Sequence, residues 1–115
     1  MNIKTKKVKQ APTPFQQSVW LAVSLIPKGC VTTYGAIAEY LGSRAVRAVA
    51  TAVGKNPYAP DVPCHRVVLS SGNVGNYSGK GGKETKIKLL QSEGIIIEDD
   101  KIKEFNKHMF RLIQK

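Results

Sequence analysis

The chain has 115 residues, enough for one domain with a small core, and 18 Lys and Arg against 8 Asp and Glu give a formal charge of +10. No apolar run approaches the ~18 residues of a membrane span, and the lysine-rich start lacks the apolar segment of a secretory signal. The basic excess points to a polyanion without separating DNA from RNA, and a solubilising surface would explain it equally well.

Residues 1–11 hold four lysines and read as a loose basic arm, with residues 12–115 as a single domain. Thr13-Pro14-Phe15-Gln16 reads as a helix start: Thr13 caps, Pro14 takes the first helical position and Gln16 closes a capping box. Phe15, Val19, Ala22, Val23 and Ile26 recur at helical spacing as one buried face, with Trp20 beside it. Pro27-Lys28-Gly29 ends this helix. Cys30 has no histidine or acid beside it and reads as structural. A cytosolic protein would keep it and Cys64, the chain's two cysteines, reduced.

Thr33 caps a second helix over residues 34–41, stopped by Gly42. Ser43 caps a third that runs to about Val53, stopped by Gly54. Two short helices around a Gly-Ser turn form a helix-turn-helix pattern, which many helical hairpins share without touching nucleic acid. The third helix has small side chains, with Arg44 and Arg47 near its start and no Asn or Gln to read base edges. A major-groove reader would want the reverse. Small residues let a helix lie close in a narrow groove, where an arginine can enter the base stack. An alanine-rich core helix is the plainer alternative.

A loop with two prolines, residues 56–60, leads into Val62-Pro63-Cys64-His65-Arg66-Val67-Val68. The thiolate is the reactive form of cysteine, and a neighbouring imidazole or guanidinium makes it accessible. In a plain strand Cys64 and His65 would point to opposite faces, so chemistry between them needs a bend after Pro63 or a bridging water. Taken alone, such a pair is more often a buried cysteine beside a solvent-facing histidine. Residues 70–75 read as a turn and residues 76–82 as a flexible glycine-rich loop without P-loop spacing. A helix follows from Lys83 to Ser92, stopped by Gly94. Ile95 to Ile97 reads as a short strand. Asp99 or Asp100 then caps a terminal helix with Ile102, Phe105, Met109 and Leu112 inward. There is no repeat and no metal-ligand set.

The string Asn56-Pro57 through Val62-Pro63-Cys64-His65-Arg66-Val67-Val68 resembles the active-site segment of the O6-alkylguanine-DNA alkyltransferases. The resemblance continues through Ser70-Ser71-Gly72-Asn73-Val74-Gly75-Asn76-Tyr77-Ser78-Gly79 to Lys83, then Leu89-Leu90 and Glu93-Gly94. Upstream it takes in Phe15, Val19-Trp20, Thr32-Thr33-Tyr34-Gly35, Ile37-Ala38 and Arg47-Ala48-Val49. It spans about eighty residues in family order.

The resemblance implies that Cys64 accepts an alkyl group from the guanine oxygen in one in-line step and keeps it as a thioether, with no cofactor. His65 then acts as base through a water, and Glu93 orients it and favours its charged form. Tyr34 assists the leaving guanine and crowds the target phosphate; a phenol, with a pKa near ~10, can donate to a guanine anion. The target nucleotide must leave the stack. Arg47 fills the gap, at the family's spacing of 17 residues before Cys64. Ala48 lies beside it on the recognition helix, and Arg44 contacts phosphate at most. Tyr77 and Ser78 wall the alkyl pocket, the Val67 carbonyl reads the guanine amine, and Asn56 braces the turn carrying Cys64.

The implied fold is a compact, mostly α domain: a winged-helix-like helix-turn-helix with minor β structure around the active-site segment. The implied partner is double-stranded DNA containing O6-alkylguanine, bound by a monomer in the cytoplasm, or in the nucleus of a eukaryote. The N-terminal domain of larger members has no counterpart in this sequence. Ala50-Thr51 replaces a smaller Gly-rich pair, the link between Tyr34 and Arg47 looks one residue shorter than in some members, and the loop at Lys80-Gly81-Gly82 looks longer. Two other readings stand beside transfer. Alkyltransferase-like proteins sense alkylated DNA but carry Trp or Ala where this chain has Cys64. A plain helix-turn-helix module would give the Pro-Cys-His-Arg segment no task.

Overall fold

The computed structural model describes residues 11–113, so the basic arm expected over residues 1–11 lies almost wholly outside the described residues. Helix α1, Pro14–Val23, starts on the expected capping box: the Thr13 hydroxyl accepts from the Gln16 N–H at 3.0 Å, and the Gln16 side chain accepts from the Thr13 N–H at 3.0 Å. The helix ends at Val23, short of the expected Ile26. Single-turn hydrogen bonds, Leu25 N–H to Ala22 and Ile26 N–H to Val23, carry the apolar face on to Ile26, which is buried.

Strand β1, Thr32–Thr33, leads into α2, Tyr34–Tyr40, whose N-terminus is capped by Thr33 accepting from the Ala36 N–H at 3.0 Å. Gly42 follows α2 in the left-handed conformation, φ 72°. Helix α3 spans Val46–Gly54 and therefore starts two residues later than the sequence suggests. Ser43 spends its hydroxyl on the Ala45 N–H inside the turn, so it does not cap the helix, and Ala45 stands at the cap with no side-chain bond. Arg44 consequently lies in the turn rather than one helical turn before Arg47. Gly54 is the last helical residue, not the stop.

The reactive stretch bends, one of the two arrangements that the sequence argument left open. Cys64–Arg66 form a single 3-10 turn after Pro63, and Val67–Val68 form β2, which pairs in parallel with β1 in the register Thr32–Val67 and Thr33–Val68. Strand alternation sends Val67 into a core built by α1, α2 and α3 around Val19, Val23, Ile37 and Val49. Val68 points into a second core with Val31, Val74, Leu90 and Ile95. The reactive turn thus sits where the two cores meet. Trp20 ties α1 to α3, its indole N–H donating to the Ala52 carbonyl at 2.8 Å.

Helix α4, Gly82–Ser92, is the expected last long helix, and Gly94 stops it at φ 94°. The expected terminal helix capped by Asp99 or Asp100 is not formed. Strands β3, Ile97–Glu98, and β4, Lys101–Ile102, make an antiparallel hairpin instead. Asp99 and Asp100 are its two turn residues, both with positive φ (52° and 65°), as a tight two-residue hairpin requires. Only a four-residue helix, α5 (Phe105–His108), follows. This hairpin is the wing beside the helix-turn-helix. It also holds the glycine-rich loop at both ends. The Asp100 carbonyl accepts from the Val74 N–H at 2.8 Å, the Ile102 N–H donates to Gly72 at 3.0 Å, and the Asp100 carboxylate pairs with Lys83 at 2.7 Å. The chain then returns beside β1, with the Phe110 N–H donating to Val31 at 2.7 Å. Among the described residues no helix is long and apolar enough to cross a membrane.

Candidate active site

The 3-10 turn places Cys64 at the wall of a cavity of about 890 Å³ lined by Tyr34, Arg44, Arg47, Tyr77 and Ser78. Five side chains named from sequence therefore surround the thiol, brought from α2, α3, the preceding turn and the glycine-rich loop. Cys64 itself is only 3 % exposed. Arg44, Arg47 and Ala48 are exposed on the outer side. Neither arginine side chain makes a hydrogen bond or ion pair among the described residues. Ala48 does not line the cavity.

His65, Arg66 and Glu93 lie together in the interior beside the thiol. Glu93 is the C-cap of α4, where a carboxylate is disfavoured by the helix dipole. Its partners account for its being there. Arg66 grips it with two prongs, Nε to Oε1 at 2.9 Å and Nη2 to Oε2 at 2.7 Å, and anchors its third nitrogen on the Ile26 carbonyl at 2.7 Å. His65 Nε2 lies 2.9 Å from Glu93 Oε2. Burial alone would raise the Glu93 carboxyl, but hydrogen bonds from Arg66 and His65, with their charges, outweigh it and hold the group below its ordinary range.

Opposing influences act on the imidazole. Glu93 does favour the charged ring, but burial acts more strongly, and the cations Arg66 and Lys86 add to it. The His65 pKa falls below its ordinary 6.5, so the ring is neutral at pH 7. A carboxylate can only accept, so Nε2 carries the hydrogen and Nδ1 the lone pair. Nδ1 is buried and has no partner among the described residues.

Asn56 braces the approach to the thiol. Its Nδ2 donates to the Val62 carbonyl at 2.8 Å and its Oδ1 accepts from the Tyr58 N–H at 2.9 Å. The same Val62 carbonyl accepts the Cys64 N–H at 2.8 Å. Burial raises the phenols of Tyr34 and Tyr77, and negative charge at Cys64 raises both further, so each keeps its proton well above neutral pH.

Sequence reasoning missed two residues of this site. Arg66 was visible only as a cation next to the Cys-His pair. Lys86 is wholly buried, its ammonium donating to the Val67 carbonyl at 2.8 Å and the Asn76 carbonyl at 3.0 Å. One lone pair of the Val67 carbonyl is thus already in use. The signal for Lys86 was its phase on α4: four residues before buried Leu90 and seven before Glu93, it shares their helix face. No group of three His, Cys, Asp or Glu side chains suited to a metal ion occurs among the described residues.

Residues 14–95 match the family model of the 6-O-methylguanine DNA methyltransferase, DNA binding domain. A methylated-DNA–protein-cysteine methyltransferase of Shigella flexneri is 45% identical over 86 residues, covering 74% of this chain and 49% of its own length. One from Methanosarcina acetivorans is 45% identical over 95 residues, covering 80% and 60%. The chain therefore spans about half the length of such relatives. Among solved structures, Mycobacterium tuberculosis OGT in complex with DNA superposes with a TM-score of 0.68 at 45% identity, covering 74% of this chain and 52% of that one. Schizosaccharomyces pombe Atl1, in complex with damaged DNA containing O6-carboxymethylguanine, gives 0.71 at 30% identity, covering 84% and 94%. With the helix-turn-helix, the bent Pro-Cys-His-Arg turn and the matched span in agreement, the chain belongs to the 6-O-methylguanine DNA methyltransferase DNA-binding domain family.

Proposed function

We propose that this chain repairs alkylated DNA by taking the alkyl group from O6 of guanine onto Cys64. The observation that carries the reading is the state of His65. It is neutral, its Nε2–H is fixed on Glu93, and its basic Nδ1 has no partner among the described residues. A water at Nδ1 can pass the thiol proton to the ring as the sulfur attacks. The Cys64 sulfur attacks the alkyl carbon, the S–C bond forms and the C–O6 bond breaks. The electron pair leaves on guanine, which takes a proton from the Tyr34 phenol. The proton gained by His65 balances the one lost by Tyr34, and exchange with water restores both. A thioether does not hydrolyse at neutral pH, so each molecule reacts once.

The cavity lies under the start of α3, so the base reaches Cys64 only when turned out of the duplex. Arg47, exposed and without a partner among the described residues, is placed to enter the gap. Arg44 contacts backbone phosphate, Ala48 lets α3 approach the groove, and Tyr77 and Ser78 wall the pocket. The free lone pair of the Val67 carbonyl is left for the guanine amine.

The structural likeness to Atl1, at a TM-score of 0.71, supports a second reading, a sensor that binds alkylated DNA without transfer. Intact mass after incubation with a duplex carrying one O6-methylguanine separates the two. Transfer predicts a gain of one methyl group, mapped to Cys64 and absent in Cys64→Ala. Selective binding with no gain in mass would overturn transfer in favour of the sensor.

A further inference from the structure

Lys86 is the one fully buried cation of the described residues outside the Arg66–Glu93 pair, and the steps above give it no role. Burying an ammonium is costly unless it is paired or hydrogen-bonded, yet its only hydrogen-bond partners are two neutral carbonyls. An apolar residue would fill this place on α4 more cheaply. The two carbonyls belong to the two sides of the reactive cavity. Val67 begins the strand directly after the Cys64–Arg66 turn, and Asn76 immediately precedes Tyr77 and Ser78 in the loop. We infer that Lys86 is a positioning residue for alkyl transfer: it sets the separation between the thiol and the pocket loop, and its charge favours the Cys64 thiolate. The inference rests on the transfer reading above.

The local electrostatics agree with the geometry. Burial lowers the Lys86 pKa from 10.5 to about 8, and negative charge at Cys64 opposes that fall. The coupling is mutual, so an ammonium that gains from the thiolate also stabilises it. The same charge helps keep His65 neutral. The other ionisable groups of this region are Tyr34 on α2, Arg44 and Arg47 before and on α3, Arg66 on the 3-10 turn, Tyr77 on the loop and Glu93 on α4. The two phenols keep their protons through the relevant range, and Arg66 and Glu93 neutralise one another. Lys86 is therefore the group whose charge changes beside Cys64 between neutral and mildly alkaline pH.

The test uses the full chain with Cys30→Ser, which leaves Cys64 as the single thiol, and compares Lys86, Lys86→Met and Lys86→Arg. Each is titrated for the rate of Cys64 alkylation by iodoacetamide from pH 6 to 10, and for single-turnover methyl transfer from an O6-methylguanine duplex. Met is expected to slow iodoacetamide severalfold at pH 7, with the gap closing above about pH 8 as Lys86 loses its own proton. Transfer is expected to fall at least tenfold, and Arg to recover part of both rates. Equal iodoacetamide rates at pH 7, or a deficit that is constant across pH, would overturn the electrostatic role. Should Lys86→Met fail to fold, Lys86→Gln, which keeps donors without charge, supplies the same comparison. If the parent reacts with iodoacetamide but transfers no methyl group, the transfer reading fails, and the alkylation profile still decides whether Lys86 stabilises the thiolate.

Discussion

The inner and outer sides of the cavity are built by opposite means. On the inside, His65, Arg66, Glu93 and Lys86 are buried or nearly so, and each is held by hydrogen bonds of 2.7–3.0 Å. On the outside, Arg44, Arg47 and Ala48 stand exposed, on or just before a helix that starts without a side-chain cap. In the proposed function the inner side holds one geometry before any substrate arrives, which a buried, hydrogen-bonded network does. In the proposed function the outer side closes on DNA, a large, hydrated, charged partner. Side chains left without protein partners give up nothing when they move onto it. The difference fits the proposed division of chemistry to one side and binding to the other, and it can be broken by substitution.

The sharpest cut is Glu93→Gln. It leaves Arg66 without its counter-ion in a dry site and frees the His65 ring to take the wrong tautomer. Chemical denaturation should show a loss of about 3 kcal/mol, and single-turnover transfer should fall by roughly two orders of magnitude. Unchanged stability would show that the inner side is not held as a unit. Arg47→Ala should do the reverse. Its melting temperature should stay at the parent value, while transfer from duplex DNA drops roughly tenfold and its salt dependence becomes shallower. A drop in melting temperature would place Arg47 in the scaffold.

The pH dependence sharpens the same contrast. His65 works as a base only when neutral, and burial depresses its pKa below 6.5. The acid limb of transfer should therefore lie below pH 6.5. Folding should follow the same sign: the depressed His65 and Glu93 contribute stability that is present above their ordinary pKa values, 6.5 and 4.5, and lost as pH falls through the folded ones. An acid limb above pH 6.5 would mean that the ring is not the neutral base. The smallest effect is expected for Asn56→Ala, which removes two bonds from the loop before Cys64. It should cost about 1–2 kcal/mol in denaturation, with a modest fall in rate and normal DNA affinity.

Much of this was legible before the coordinates, for physical reasons that differ by region. The capping box at Thr13 and Gln16 is local chemistry, so residue spacing alone predicts it. The bend at Pro63 followed from the demand that adjacent side chains cooperate. The gathering of Cys64, His65 and Glu93, by contrast, came from family resemblance, because 29 residues separate Cys64 from Glu93 and only the fold closes that distance. The errors were made where two local rules competed. Ser43 suits a helix cap but also closes its own turn, and Asp99-Asp100 suits a helix cap but also a tight hairpin. In the second case β-branched Ile97 and Ile102 on either side settle the contest, and they form the hairpin's first cross-strand pair. Lys86 was missed because a lysine among lysines reads as surface. Only its phase against Leu90 and Glu93 marks it as interior.

The wing also has a consequence for how such a pocket can change. Asp100 meets Val74 through its backbone and Lys83 through its carboxylate, so a single hairpin turn fixes both ends of the loop that carries Tyr77 and Ser78. Doubling the length of a loop whose ends are already fixed costs only about 0.6 kcal/mol in closure entropy. The segment between these anchors is in effect an exchangeable cassette. It can gain or lose residues and remodel the pocket while the reactive turn and α3 keep their places.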